Sequence, residues 1–209
     1  MDPNLARQLR LLLIADHGLF RGRDPLPLCR AAVEGGVTAV QLRWKGATPR
    51  ELVELARRLV AGLAVPVFMN DRPDVALAAG CAGVHLGADD LPIRLARRIA
   101  PTGFAIGVSV GNDTEAGQAA GASYAGVGPW RATRTKVDAG TALDADAAAR
   151  LIARIAPVPA VVIGGVLPED IPGIVAAGAV GAAVGAGILA QQDIRRAAAA
   201  YREAERGIV

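Results

Sequence analysis

Two aspartates and three cations carry the most informative chemistry in this chain of 209 residues. Asp71 closes the apolar run that ends in Asn70, and Asp90 follows the next run, GVHLG. Paired carboxylates beside cationic side chains suit Mg2+, which takes one or two protein carboxylates and completes its shell with water and phosphate oxygens. Each aspartate taken alone has a plainer use as a helix N-cap, because Pro73 lies two residues after Asp71 and Pro92 two after Asp90. Arg43, Lys45 and Lys136 are placed to converge on one anionic group. Three cations exceed what one monophosphate needs, so a diphosphate is the natural ligand class. Gly164-Gly165 and Gly185-Ala186-Gly187 let backbone N–H groups approach an anion. Their plainer use is close strand–helix packing, in a chain with 25 glycines. His85 reads as an interior histidine bonded to a neighbour, and His17 has no partner evident from the sequence.

These residues must be positioned by short elements. Eight apolar runs begin near Leu11, Ala39, Val65, Gly83, Ala105, Ser123, Ala160 and Gly181. Each is nearly continuous, as expected of strands buried on both faces. Helix-like stretches lie between and after them, at 25–35, 48–63, 72–80, 90–99, 113–121, 143–156, 168–177 and 190–205. Thr48-Pro49 with Glu51, and Asn112 before Asp113, are helix-start chemistry. The alternation has no linker or composition break. It predicts one α/β domain over 1–209, a (β/α)8 TIM barrel, with an open doubly wound sheet as the structural rival. No GxGxxG follows the first strand, which argues against a dinucleotide site. In a TIM barrel the site lies at the strand C-termini. Asp16-His17, Gln41, Arg43, Lys45, Asn70-Asp71-Arg72, His85, Asp89-Asp90 and Ser109 all fall at expected strand ends. So does the long connection 129–141, with Arg131, Thr133, Arg134, Thr135 and Lys136, a candidate lid.

Composition excludes other classes. Hydrophobic residues make up 52% and charged residues 21%, unlike a disordered chain. A net charge of +3 and 3% aromatics argue against a nucleic-acid partner. Cys29 and Cys81 form no metal or disulfide pattern and read as buried thiols in a reducing, cytoplasmic setting. Segment 171–190 carries no charge, but its glycines, Pro172 and alanines favour a short helix and a buried strand over a membrane span. The N-terminal apolar run is too short for a secretory signal.

The segments QLRWK (41–45), MNDRPDVAL (69–77), GVHLGADDLP (83–92), IGVSV (106–110), YAGVGPWRATRTK (124–136), IGGV (163–166) and GAAVGAGI (181–188) together resemble the thiamine phosphate synthase family. The resemblance implies a transferase of thiamine biosynthesis. It would join hydroxymethylpyrimidine diphosphate to a thiazole phosphate and release pyrophosphate. It places the pyrimidine diphosphate at Gln41, Leu42, Arg43, Trp44, Lys45, Asn70, Ser109 and Lys136, with Arg43, Ser109 and Lys136 catalytic. It gives Asp71 and Asp90 to Mg2+. It assigns Thr133, Arg134 and Thr135, with Gly165, Gly185 and Ala186, to the thiazole phosphate. A homodimer is a family expectation. The chain departs from the family pattern at Trp44, Gly46, Ala88 and Ala186, and reads WRA at 130–132 where Phe and Pro are usual. The alternatives are a TenI-like thiazole tautomerase, which needs neither the aspartates nor the TxTK loop, another phosphate-handling barrel enzyme, and a non-catalytic barrel that binds thiamine phosphate.

Overall fold

The computed structural model describes residues 3–131 and 141–207. In chain order the elements are α1 (Pro3–Gln8), β1 (Leu11–Asp16), α2 (His17–Phe20), α3 (Pro25–Glu34), β2 (Ala39–Arg43), α4 (Pro49–Gly62), β3 (Val67–Asn70), α5 (Pro73–Ala79), β4 (Gly83–Leu86) and α6 (Ile93–Ile99). They continue with β5 (Ala105–Val110), α7 (Asp113–Gln118), β6 (Tyr124–Val127), α8 (Ala145–Ile155), β7 (Ala160–Ile163), a 3-10 turn (Pro168–Asp170), α9 (Ile171–Ala176), β8 (Gly181–Val184), α10 (Ala186–Leu189) and α11 (Ile194–Arg206). The eight strands pair in parallel, in sequence order, and close. Leu11 and Leu13 of β1 are in register with Ala182 and Val184 of β8. This is the TIM barrel, and the open sheet is excluded.

The period of two along each strand sorts the side chains into two cores. Leu12, Ile14, Ala39, Phe68, Ala105, Tyr124, Val161 and Ala183 fill the barrel, with Leu5 and Leu9 joining them from the N-terminal segment. Leu11, Leu13, Val40, Leu42, Met69, Val84, Ile106 and Val162 face the other way and pack with the helices. Stepping two or four residues on from Ala39, Phe68, Gly83 and Ala105 reaches Gln41, Asn70, His85 and Ser109. The inward row therefore turns polar toward the strand C-termini.

Helix starts follow local chemistry. Thr48 and Glu51 form a reciprocal capping box at α4, and Asn112 caps α7 through the Glu115 amide. The uncharged segment 171–190 becomes α9, β8 and α10, and among the described residues no helix is long and apolar enough to cross a membrane. Several bounds differ from the sequence reading. β3 starts at Val67, because Pro66 has no N–H for the ladder. The expected 190–205 helix begins at Ile194, where Asp193 caps it. Helix α6 begins only at Ile93, and the 168–177 stretch opens as a 3-10 turn. Three short helices, α1, α2 and α10, were not expected. At four to six residues they are too short to show a helical period.

Candidate active site

The inward polar row forms hydrogen-bonded pairs across neighbouring strands. Gln41 on β2, only 4% exposed, donates from Nε2 to Asn70 Oδ1 on β3 at 2.9 Å. His85 on β4 links two strands at once. Its Nε2 lies 3.1 Å from Ser109 Oγ on β5, and its Nδ1 lies 3.2 Å from the Tyr124 hydroxyl on β6. Burial pushes the Tyr124 phenol far above its usual range, so it keeps its proton. His85 is thus the bonded interior histidine that its sequence position indicated. It fixes the Ser109 hydroxyl, which is half-buried beneath the rim.

Asp71 stands just beyond β3 with φ +64°, a left-handed conformation uncommon outside glycine. Its amide donates to His85 O at 2.8 Å. Its carboxyl is raised above the usual range, first by burial, then by Asp90 as hydrogen-bond partner and like charge, with Lys45 pulling the other way. Lys45 Nζ lies 3.5 Å from Asp71 Oδ2. Asp90 accepts from the Gly87 amide at 2.6 Å. Neither aspartate caps a helix. The N-cap of α5 is Arg72 and that of α6 is Pro92, and neither makes a side-chain cap. Asp90 instead lies close enough to Asp71 to oppose its ionisation. Among the described residues no cluster of three or more His, Cys, Asp or Glu assembles. A carboxylate pair with like-charge repulsion still to be neutralised is a donor set that fits Mg2+ with a water and phosphate shell.

Arg43 ends β2 in register with Asp16 at the end of β1. The two form an ion pair in which both side chains are mostly buried. Asp16 uses its other oxygen, Oδ1, to accept from the Gly18 amide at 2.9 Å and start α2. One residue further along, His17 stacks flat on Trp44, with ring centroids 3.8 Å apart. Gly165 and Gly185 follow β7 and β8, which are neighbours in the barrel, and Gly165 and Ala186 are exposed there.

Residues 11–188 match the thiamine monophosphate synthase family. A thiamine-phosphate synthase from Chloroflexus aurantiacus is 42% identical over 198 residues, covering 92% of this chain and 91% of that protein. The chain belongs to the thiamine monophosphate synthase family. Another thiamine-phosphate synthase, from Methanoculleus marisnigri, is 40% identical over 198 residues, covering 92% of this chain and 93% of its own length. Among solved structures, the thiamine phosphate pyrophosphorylase from Pyrococcus furiosus superposes with a TM-score of 0.86 at 32% identity, covering 98% of this chain and 99% of that one.

For a member of the thiamine monophosphate synthase family, the structure brings Gln41, Arg43, Lys45, Asn70, Asp71, Asp90 and Ser109 to one end of the barrel. Leu42 is different. Its side chain is fully buried in the outer core, against the helices, so only its backbone lies at that end. Arg131 forms an ion pair with Asp170. Thr133, Arg134, Thr135 and Lys136 lie outside the described residues. The sequence places Asp16 at a strand end, but its pairing with Arg43, the Asp170–Arg131 pair and the His17–Trp44 stack come only from the structure. Setting the ends of strands 1 and 2 side by side would have found the stack, because a parallel register that joins Asp16 to Arg43 puts the next two residues together.

Proposed function

We propose that this member of the family condenses hydroxymethylpyrimidine diphosphate with a thiazole phosphate to give thiamine phosphate, releasing pyrophosphate. The observation that carries this reading is the close pair Asp71 and Asp90, with Lys45 beside Asp71, at the catalytic end of a barrel of this family. Asp71 and Asp90 would hold Mg2+, which when bound supplies positive charge to the diphosphate oxygens.

The chain's own residues do the rest. Arg43, aimed by Asp16, and Lys136 bind the diphosphate and meet the negative charge that grows on its oxygens as it departs. His85 orients the Ser109 hydroxyl toward the same group. The electron-rich aminopyrimidine stabilises the cation left on its methylene carbon, so no strong base is required. Gln41 and Asn70, bonded to each other, offer polar atoms beneath the pyrimidine. Gly165, Gly185 and Ala186, with Thr133, Arg134 and Thr135, hold the thiazole phosphate so that the thiazole nitrogen faces that carbon. Alignment and exclusion of water from a reactive cation are the main tasks. A tautomerase or a non-catalytic binder would leave the carboxylate pair and its lysine without a task. Two buried thiols accord with a cytoplasmic enzyme: burial raises Cys29 to about 12 and Cys81 to about 11.

The test is to mix both phosphorylated halves with Mg2+ and measure thiamine phosphate and pyrophosphate together. Equal amounts of the two products are expected, with a loss of roughly 100-fold or more in EDTA and in Asp71→Ala and Lys136→Ala. Full activity in EDTA would remove the metal role, and full activity of Lys136→Ala would remove the proposed clamp.

A further inference from the structure

Asp170 is the most buried carboxylate among the described residues, with a side chain only 9% exposed. Nothing in the reaction above uses it. It accepts from both terminal nitrogens of Arg131, the second at 2.7 Å, and from the Leu167 amide at 2.7 Å. Arg131 in turn grips the turn after β7. Its backbone amide donates to Gly164 O at 2.9 Å, and its Nη1 donates to Gly165 O at 3.3 Å. The preceding amide, that of Trp130, donates to Ile163 O at 2.8 Å. A Cβ on Gly164 would lie 2.6 Å from the Pro129 Cβ, so the two segments touch closely there.

A trans peptide points its C=O and N–H in opposite directions. Fixing Gly164 O and Gly165 O against Arg131 therefore turns the Gly165 and Val166 amides away from it. Neither amide donates to a backbone acceptor among the described residues. Two successive unpaired amides of this kind make an anion-binding concavity. Gly164 and Gly165 have φ of +99° and +64°, a region that glycine enters without a Cβ penalty.

We propose that Asp170 and Arg131 are positioning residues for the phosphate of the thiazole substrate: the ion pair locks the Gly164-Gly165 turn so that its amides face that phosphate. This rests on the synthase reading. It also gives a physical role to the Trp130-Arg131 departure noted in the sequence.

Asp170→Asn and Arg131→Met in the full chain test it, with each substrate varied separately and thermal unfolding recorded. Arg131 is partly exposed, so its replacement disturbs less packing than the change at Asp170, and thermal unfolding reads whether each variant is folded. The expected result is a thiazole phosphate KM raised roughly 5- to 20-fold, with the pyrimidine diphosphate KM within about 2-fold of the parent. Arg131→Lys, which keeps one cationic donor, should recover part of the loss. An unchanged thiazole phosphate KM overturns the positioning role while leaving the synthase reading intact. So does an equal rise in both KM values, which would mark a general brace. A parent chain that makes no thiamine phosphate overturns the synthase reading, and the positioning role with it.

Discussion

Asp71 sits in a conformation and beside a charge that a residue selected for stability would avoid. A non-glycine residue at positive φ is strained by about 1 kcal/mol. Burial and Asp90 both oppose its ionisation. Because its carboxyl is raised in the folded chain, the folded state binds the proton more tightly than the unfolded one. That contribution is complete below the ordinary carboxyl range and is lost as pH rises through the raised value. Asp71→Asn removes the repulsion, and asparagine is at home in the left-handed region. In EDTA at pH 7 this variant should unfold about 2–4 °C above the parent, of order 1 kcal/mol, with the gap narrowing toward pH 4. Its synthase activity should be lost. A variant less stable than the parent would mean that the two carboxylates do not repel. Asp71 and Asp90 were legible in the sequence because charged types at successive strand ends stand out. What was not legible is which of two uses each serves, since Asp before a proline suits a helix cap as well as a cation. The pairings of Asp16 and Asp170 were hidden for another reason. Their partners, Arg43 and Arg131, are 27 and 39 residues away and come near only when β1 pairs with β2 and β6 with β7.

Elements were readable where chemistry is local. Thr48, Pro49 and Glu51 lie within four residues, and the structure closes both halves of the box: the Thr48 amide donates to Glu51 Oε2 at 2.8 Å, and the Glu51 amide donates to Thr48 Oγ1 at 3.3 Å. Thr48→Ala removes the acceptor and leaves the Glu51 amide to water. The expected loss is about 1 kcal/mol, or roughly 2–4 °C in the melting temperature of a chain this size. No change in melting temperature would show that α4 is held by packing alone, through Leu52, Leu55, Ala56 and Leu59. Elements were unreadable where length denies a period. Helix α2 has four residues and starts where Asp16 caps it by accepting from the Gly18 amide. It matters to the site, since it carries His17 onto Trp44. The change from inward apolar to inward polar residues was visible strand by strand, but Leu42 shows the limit of reading it without the pleat. Its neighbours Gln41 and Arg43 point inward, and a period of two sends Leu42 to the helices.

At the scale of the whole molecule, the deciding feature is closure. Continuous apolar strands alternating with amphipathic helices satisfy an open doubly wound sheet as well as a barrel, because both bury each strand on two faces. Only pairing of the first strand with the last separates them, and that pairing spans nearly the whole chain. Closure also shapes the rim: it sets Gly185, after β8, against Ile14 of β1, so that the strand ends form a ring. The seam depends on Gly181. A Cβ there would lie 2.3 Å from both the Leu9 and Arg10 carbonyl oxygens, at the point where the Ala182 amide donates to Arg10 O at 3.2 Å. These contacts are backbone, so no side-chain rotation relieves them. Gly181→Ala must push β8 away from β1 and weaken the ladder where it closes. The expected loss is about 2–3 kcal/mol, seen as a melting temperature lower by roughly 4–12 °C, with helical circular dichroism retained at 20 °C or so. A variant that melts within about 1 °C of the parent would show that the seam yields freely. The ring of polar residues would then owe its geometry to the helices rather than to the closed ladder.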